Sequence, residues 1–168
     1  MQMLEATVEG LALDMTTNSP VVILSPIGIE KVLPIWIGHA EAWGIAMQLS
    51  GVTSRRPLTY DLLKSVIDTL GARLERVEVT ELKEQTFYAK LHLVAGDQKL
   101  QVDARPSDSI ALALKMEAKI FVNDQLFGSK EAEEGGQATE EPPMPTDPES
   151  LRERLKKINP EDFGKYSL

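Results

Sequence analysis

Apolar residues in the first half of the chain follow two periods in turn. Leu4, Ala6 and Val8 alternate with polar neighbours, and the apolar phase shifts past Gly10 to Leu11 and Leu13, the pattern of a bulged strand. After the turn signal Asn18-Ser19-Pro20, the continuous run Val21-Val22-Ile23-Leu24 predicts a buried strand. Residues 32–37 predict a third strand, and Pro34 within it places that strand at an edge or irregular position. The period then lengthens. Trp43/Met47 and Ile45/Leu49 recur at helical spacing over residues 40–50, with Gly51 as the closing residue. Leu58, Leu62, Leu63, Val66, Ile67 and Leu70 form a second helical stripe. Thr59 is its expected N-cap, Leu58 and Leu63 its hydrophobic staple, and Gly71 its end.

The second half repeats the plan. Residues 74–82 read as a strand. Phe87, Ala89, Leu91 and Leu93 alternate with Tyr88, Lys90 and His92, and Leu100, Val102 and Ala104 alternate with Gln101, Asp103 and Arg105. With turns at residues 83–85 and 96–98 these predict a three-stranded antiparallel meander. A helix follows over residues 108–117, then a short strand at 120–122, with Asn123-Asp124 capping a last helical turn. The fold class is therefore α+β: a mixed or antiparallel sheet from two halves of three strands plus helix, with flanking helices. An internal duplication is suggested by Arg56-Pro57 and Arg105-Pro106, each followed two residues later by a capping residue, although the two sit at non-equivalent places.

This pattern stops at residue 128. Residues 129–148 are acidic, Gly/Pro-rich and nearly free of large apolar groups, so a disordered linker is expected. In residues 149–168, Leu151, Leu155 and Ile158 recur at i, i+4 and i+7 behind Asp147-Pro148, predicting a short amphipathic helix.

Composition narrows the function classes. The 168 residues include no cysteine, which removes disulfides, thiolate metal sites and cysteine nucleophiles. No stretch approaches the roughly 18 apolar residues of a membrane span, and the first residues lack the basic and apolar regions of a signal peptide, so a cytoplasmic location is expected. The net charge is -8. Residues 1–128 carry 12 Lys and Arg against 16 Asp and Glu, and residues 129–168 carry 6 against 10. Such a chain lacks the broad positive field that drives non-specific nucleic-acid binding. Any phosphate chemistry must rest on local arginines and on metal ions.

Three segments could carry chemistry. Asp103-Ala104-Arg105-Pro106-Ser107-Asp108 places two carboxylates and a guanidinium where a strand ends and a helix begins. Asp103 and Asp108 could hold Mg²⁺ or Mn²⁺, Arg105 could clamp a phosphate bidentately, and the helix start adds free N–H groups. The same residues also have a purely structural reading. Asp108 is a good N-cap, and with Val94 opposite Lys99 the register sets Lys90 against Asp103 and Tyr88 against Arg105 as ordinary cross-strand pairs. In the second segment, Arg55 and Arg56 precede a helix start and could contact phosphate, while Asp61 suits the macrodipole. The third segment, residues 35–42, contributes Glu41 in a first helical turn, with Trp36 and Trp43 expected as core or interface aromatics. His92, on the polar face of its strand, is expected to be exposed, and Asp14 carries no assignment.

Taken together, Leu33-Pro34-Ile35-Trp36-Ile37-Gly38 with Glu41-Ala42, Arg56-Pro57-Leu58-Thr59 with Asp61-Leu62-Leu63, Thr86-Phe87-Tyr88-Ala89, and Asp103 to Asp108 with Ala111-Leu112-Ala113 resemble the bifunctional nuclease domain family over about residues 3–128. One position departs: Tyr60 stands where the family usually has histidine. The resemblance implies an α+β fold, a homodimer and nuclease activity on RNA or DNA. The resemblance fixes no catalytic set by itself; joined to the clustering of acids and arginines at helix starts, it makes Asp103, Asp108 and Glu41 the candidate catalytic acids, the first two as metal ligands for Mg²⁺ or Mn²⁺, and Arg56 and Arg105 the candidate phosphate contacts. The alternative is a non-catalytic dimeric module that binds a protein or a small anionic ligand.

Overall fold

A computed structural model describes residues 1–128. The expected linker over 129–148 and helix over 149–168 lie outside the described residues. The strands are β1 (Met3–Asp14), β2 (Ser19–Pro26), β3 (Leu33–Trp36), β4 (Ala72–Lys83), β5 (Thr86–Ala95), β6 (Gln98–Ala104) and β7 (Lys119–Asn123). The helices are α1 (His39–Leu49), α2 (Thr59–Thr69) and α3 (Pro106–Met116), and a 3-10 turn occupies Asp124–Leu126.

All seven strands form one sheet in the order β3-β2-β1-β7-β4-β5-β6. Each half of the chain supplies an antiparallel meander, β1-β2-β3 and β4-β5-β6, and β7 lies between them. It runs antiparallel to β1 and parallel to β4, so the sheet is mixed through a single parallel pair. β3, with Pro34, is an edge strand, where a missing backbone N–H is tolerated. The β5–β6 register follows the two-residue Gly96-Asp97 turn: Val94 pairs with Lys99 and Lys90 with Asp103. Gly96 takes the positive φ, 58°, that such a turn favours.

Bulges explain the phase shifts of the pattern. In β1 the register slips between Val8 and Gly10. In β4 it slips between Leu74 and Arg76 and again between Val79 and Glu81, so Leu74 and Val77, an odd number of residues apart, are both buried. The core is dominated by Val22, Leu24, Leu33, Val77, Val79 and Val122 from the sheet and Ile45, Ile110 and Leu112 from the helices. α3 is the central helix. It packs on α1, α2, β4, β5 and β7.

Several local expectations need correction. α2 is capped by Leu58, and Thr59 is its first helical residue. The first N–H is satisfied from the third position, where Asp61 Oδ2 accepts from Leu58 N at 2.9 Å. α3 begins at Pro106, with Arg105 as its N-cap residue, so Asp108 is inside the first turn and is not the cap. The preset φ of proline suits the first helical position and moves the boundary upstream. Arg105 therefore lies beyond β6 and does not pair across the sheet with Tyr88. His92 is buried, at 8 % exposure, because Arg76 and Glu78 of β4 cover that side of β5. Its Nε2 lies 2.9 Å from Glu78 Oε2. Asp14 is an anchor: Oδ2 accepts from Trp36 Nε1 at 2.9 Å and Oδ1 from Thr16 N at 2.9 Å, tying β3 to the end of β1. Trp36 is half-buried, whereas Trp43 is 58 % exposed. The α2 stripe forms its helix but buries only Ile67, leaving Leu62, Val66 and Leu70 exposed.

Candidate active site at three helix N-termini

The first turns of α1, α2 and α3 converge. Each carries an acid at its third position, Glu41, Asp61 and Asp108, where the helix dipole favours negative charge. Asp61 serves its own helix and pairs with Lys115 of α3. The other two face Arg105. Arg105 Nε donates to Asp108 Oδ2 at 2.8 Å, and Nη2 donates to Asp108 Oδ1 at 3.2 Å and to Glu41 Oε1 at 2.7 Å. Tyr60, second residue of α2, donates its hydroxyl hydrogen to Asp108 Oδ1 at 2.9 Å.

Two glycines shape this corner by close approach. A Cβ on Gly38, the N-cap of α1, would lie 2.2 Å from Glu41 Oε2, so the carboxylate occupies the space a side chain would take. A Cβ on Gly44 would lie 2.6 Å from Tyr60 Cε2, so α1 admits the tyrosine ring only because position 44 has no side chain. The Arg105 backbone is held as well: its carbonyl accepts from Ser109 N at 3.0 Å and from Ser109 Oγ at 2.9 Å.

Burial first, then the hydrogen bond to Asp108 and the charges of Asp108 and Glu41, push the Tyr60 phenol well above its usual pKa. Tyr60 is thus a fixed donor and does not act as a base near neutral pH. Asp108, and then Glu41, hold the Arg105 guanidinium charged against the opposing effect of burial. The arginine side chain is 64 % exposed while Glu41 is 17 % exposed, so a ligand arriving from solvent meets Arg105 first. Two carboxylates and one guanidinium leave the corner with one surplus negative charge.

Of the residues singled out from sequence, Glu41, Arg105 and Asp108 come together. Asp103 does not join them: it is exposed on β6, opposite Lys90, and its side chain forms no hydrogen bond or ion pair among the described residues. Arg56 is exposed and also lacks such a partner among the described residues. Among those residues no three His, Asp or Glu side chains form a metal-sized group. Tyr60, Gly38 and Gly44 are the members the sequence did not announce. The only signal was that tyrosine replaces the family's usual histidine.

A family model for the bifunctional nuclease domain matches residues 22–134. The chain belongs to this family. A bifunctional nuclease domain covering those residues includes every member of the corner. An uncharacterized protein of Mycobacterium tuberculosis is 37 % identical over 166 residues, covering 95 % of this chain and 97 % of its own length. The "Bifunctional nuclease 2" of Arabidopsis thaliana is 29 % identical over 112 residues, 65 % of this chain and 34 % of that protein. The "Bifunctional nuclease 1" of Oryza sativa subsp. indica is 23 % identical over 116 residues, 67 % of this chain and 35 % of its own. The chain thus spans about a third of the plant proteins that carry the nuclease name. Among the described residues no helix is long and apolar enough to cross a membrane.

Proposed function

We propose that the chain hydrolyses phosphodiester bonds of RNA or DNA, in the cytoplasm, at the corner formed by Glu41, Tyr60, Arg105 and Asp108. The observation that carries this reading is an exposed arginine at the start of α3, backed by carboxylates from the first turns of α1 and α3, with the first turn of α2 joined to them through Tyr60. Helix N-termini favour anions, and a planar guanidinium matches two phosphate oxygens.

The surplus negative charge must be offset before a phosphate can settle. Mg²⁺ takes one or two carboxylates together with substrate phosphate oxygens, and the donor set fits that habit. Glu41 and Asp108 are the residues that would hold Mg²⁺ or Mn²⁺. When bound, the ion would stabilise the leaving oxygen and lower the pKa of a water. The protein's own residues do the rest. Arg105 turns from the carboxylates to the phosphate, and Tyr60 holds Asp108 in one orientation. Arg56, exposed and without a partner among the described residues, extends phosphate contact along the strand. Asp103 stands outside the reacting set.

A homodimer, expected from the resemblance, has a fitting surface in the apolar α2 face of Leu62, Val66 and Leu70, which is exposed in the single chain.

The test is cleavage of labelled single-stranded RNA and duplex DNA with Mg²⁺, Mn²⁺ or EDTA, alongside Arg105→Ala and Glu41→Gln. Metal-dependent cleavage lost in both variants is the expected result. No cleavage by the wild-type chain on either substrate sinks the reading and leaves a binding module.

A further inference from the structure

Beside the corner lies a cleft of about 330 Å³ between α1, the α1–α2 loop, α2 and α3. Tyr60 belongs to both. Its hydroxyl reaches Asp108, and its ring forms part of the cleft wall. Met47, Val52 and Pro57 give the cleft an apolar lining, and the Gln48 amide supplies both a donor and an acceptor. Two cations line it, and one of them, Arg55, is exposed and forms no hydrogen bond or ion pair among the described residues. The other charges in the wall, Asp61 and Lys115, neutralise each other in an ion pair. The volume is at the small end of the range for small-molecule sites, so the occupant is a compact unit, not a chain segment.

We propose that this cleft is the subsite for the nucleoside adjoining the scissile phosphate, and that it binds free mononucleotides. The proposal rests on the phosphodiesterase reading for its biological sense, but its chemistry stands on the cleft itself. A nucleobase is a flat body with apolar faces and hydrogen-bonding edges, which an apolar lining with one amide can accommodate. The attached phosphate supplies the anion that the unpaired Arg55 lacks. The shared tyrosine sets the cleft one ring's length from the Asp108 carboxylate, so a nucleoside seated there has its neighbouring phosphate directed to Arg105. Base recognition by stacking and a few edge contacts tolerates sequence. The subsite therefore predicts a nuclease with weak base preference.

The experiment is isothermal titration of the full chain, without turnover, using nucleoside 5′-monophosphates, inorganic phosphate and uncharged nucleosides. Mononucleotides are expected to bind at least tenfold tighter than either fragment. Arg55→Ala is expected to reduce mononucleotide affinity to that of the nucleoside. Met47→Trp, which fills the cleft, is expected to weaken mononucleotide and nucleoside alike, with the melting temperature of both variants within a few degrees of wild type. Mononucleotide binding no tighter than that of inorganic phosphate overturns the proposal, as does tight binding that neither variant alters. The two readings fail separately. Cleavage without mononucleotide preference removes the subsite and leaves the phosphodiesterase. Mononucleotide binding sensitive to both variants, in a chain that cleaves nothing, supports the cleft as a mononucleotide site and removes the phosphodiesterase.

Discussion

Tyr60 and Asp108 join the first turn of α2 to the first turn of α3 through one hydrogen bond of 2.9 Å. The same Asp108 oxygen also accepts from Arg105, so the phenol fixes the acid that fixes the arginine. Tyr60→Phe keeps the ring in the cleft and removes only this donor. We expect it to destabilise the chain by about 1 kcal/mol, the net worth of one hydrogen bond. Cleavage should fall about tenfold or more, because Asp108 can then rotate away. Denaturant titration and single-turnover cleavage measure the two effects. Unchanged cleavage would mean that Asp108 needs no positioning.

Tyr60→His restores the residue type usual in the family. The imidazole changes charge near pH 6.5, whereas the wild-type phenol stays protonated throughout the neutral range. The variant should show a pH–rate limb between about pH 6 and 7 that the wild-type chain lacks. Superimposable profiles would show that this position does not touch the chemistry.

Gly38→Ala separates stability from activity. The added Cβ displaces the flexible end of Glu41, a shift that costs little by itself, and exchanging glycine for alanine at an N-cap adds at most about 1 kcal/mol. The carboxylate nevertheless leaves Arg105. Cleavage should fall as far as in Glu41→Gln while the melting temperature drops by only about 5 °C or less. An active Gly38→Ala chain would remove Glu41 from the reacting set.

Asp61 gives a pH signature of the fold. Lys115, and then the Leu58 N–H, hold its carboxyl below the ordinary 3.8. A folded pKa below the unfolded one means that the stabilisation is complete above about pH 4 and disappears as pH falls through the folded value. Asp61→Asn keeps an acceptor for the Leu58 N–H but loses the charge, so it should lower stability by about 0.5 to 1 kcal/mol at pH 7, the worth of a negative charge in a first helical turn. The gap between variant and wild type should narrow as pH falls below the ordinary 3.8 and vanish once the folded carboxyl is protonated. A gap that persists in acid would show that the carboxylate charge is not what matters.

The apolar face of α2 predicts an oligomeric state. Val66→Glu places a charge among Leu62, Val66 and Leu70. Light scattering should report a dimer for the wild-type chain and a monomer for the variant, with helix content unchanged. A monomeric wild-type chain would assign this face to another partner.

What the sequence disclosed depended on the range of the interaction. The register of β5 against β6 follows from the Gly96-Asp97 turn and alternating side chains, which are local. The edge position of β3 follows from Pro34 alone. Asp108 was misplaced as a cap because Pro106 claims the first helical position, a contest between two local signals. His92 looked exposed because its own strand alternates cleanly, but burial there is imposed by Arg76 and Glu78 on the neighbouring strand. The corner was half legible. Arg105 and Asp108 are three residues apart and announce each other, whereas Glu41 is 64 residues away from Arg105 and arrives only through the packing of α1 on α3. Gly38 and Gly44 matter through the space they leave empty, which no residue pattern reports.

The position of β7 orders events in time as well as space. The two meanders meet only through this strand, and it is the last strand in the described chain. During synthesis each meander can pair internally as it emerges, but the first has no seam to the second until Lys119–Asn123 is available. Glu41 belongs to the first half and Arg105 to the second. The corner spans this seam, so a nascent or truncated chain that stops short of β7 carries all four residues of the corner with only the packing of α1 and α2 on α3 to bring them together.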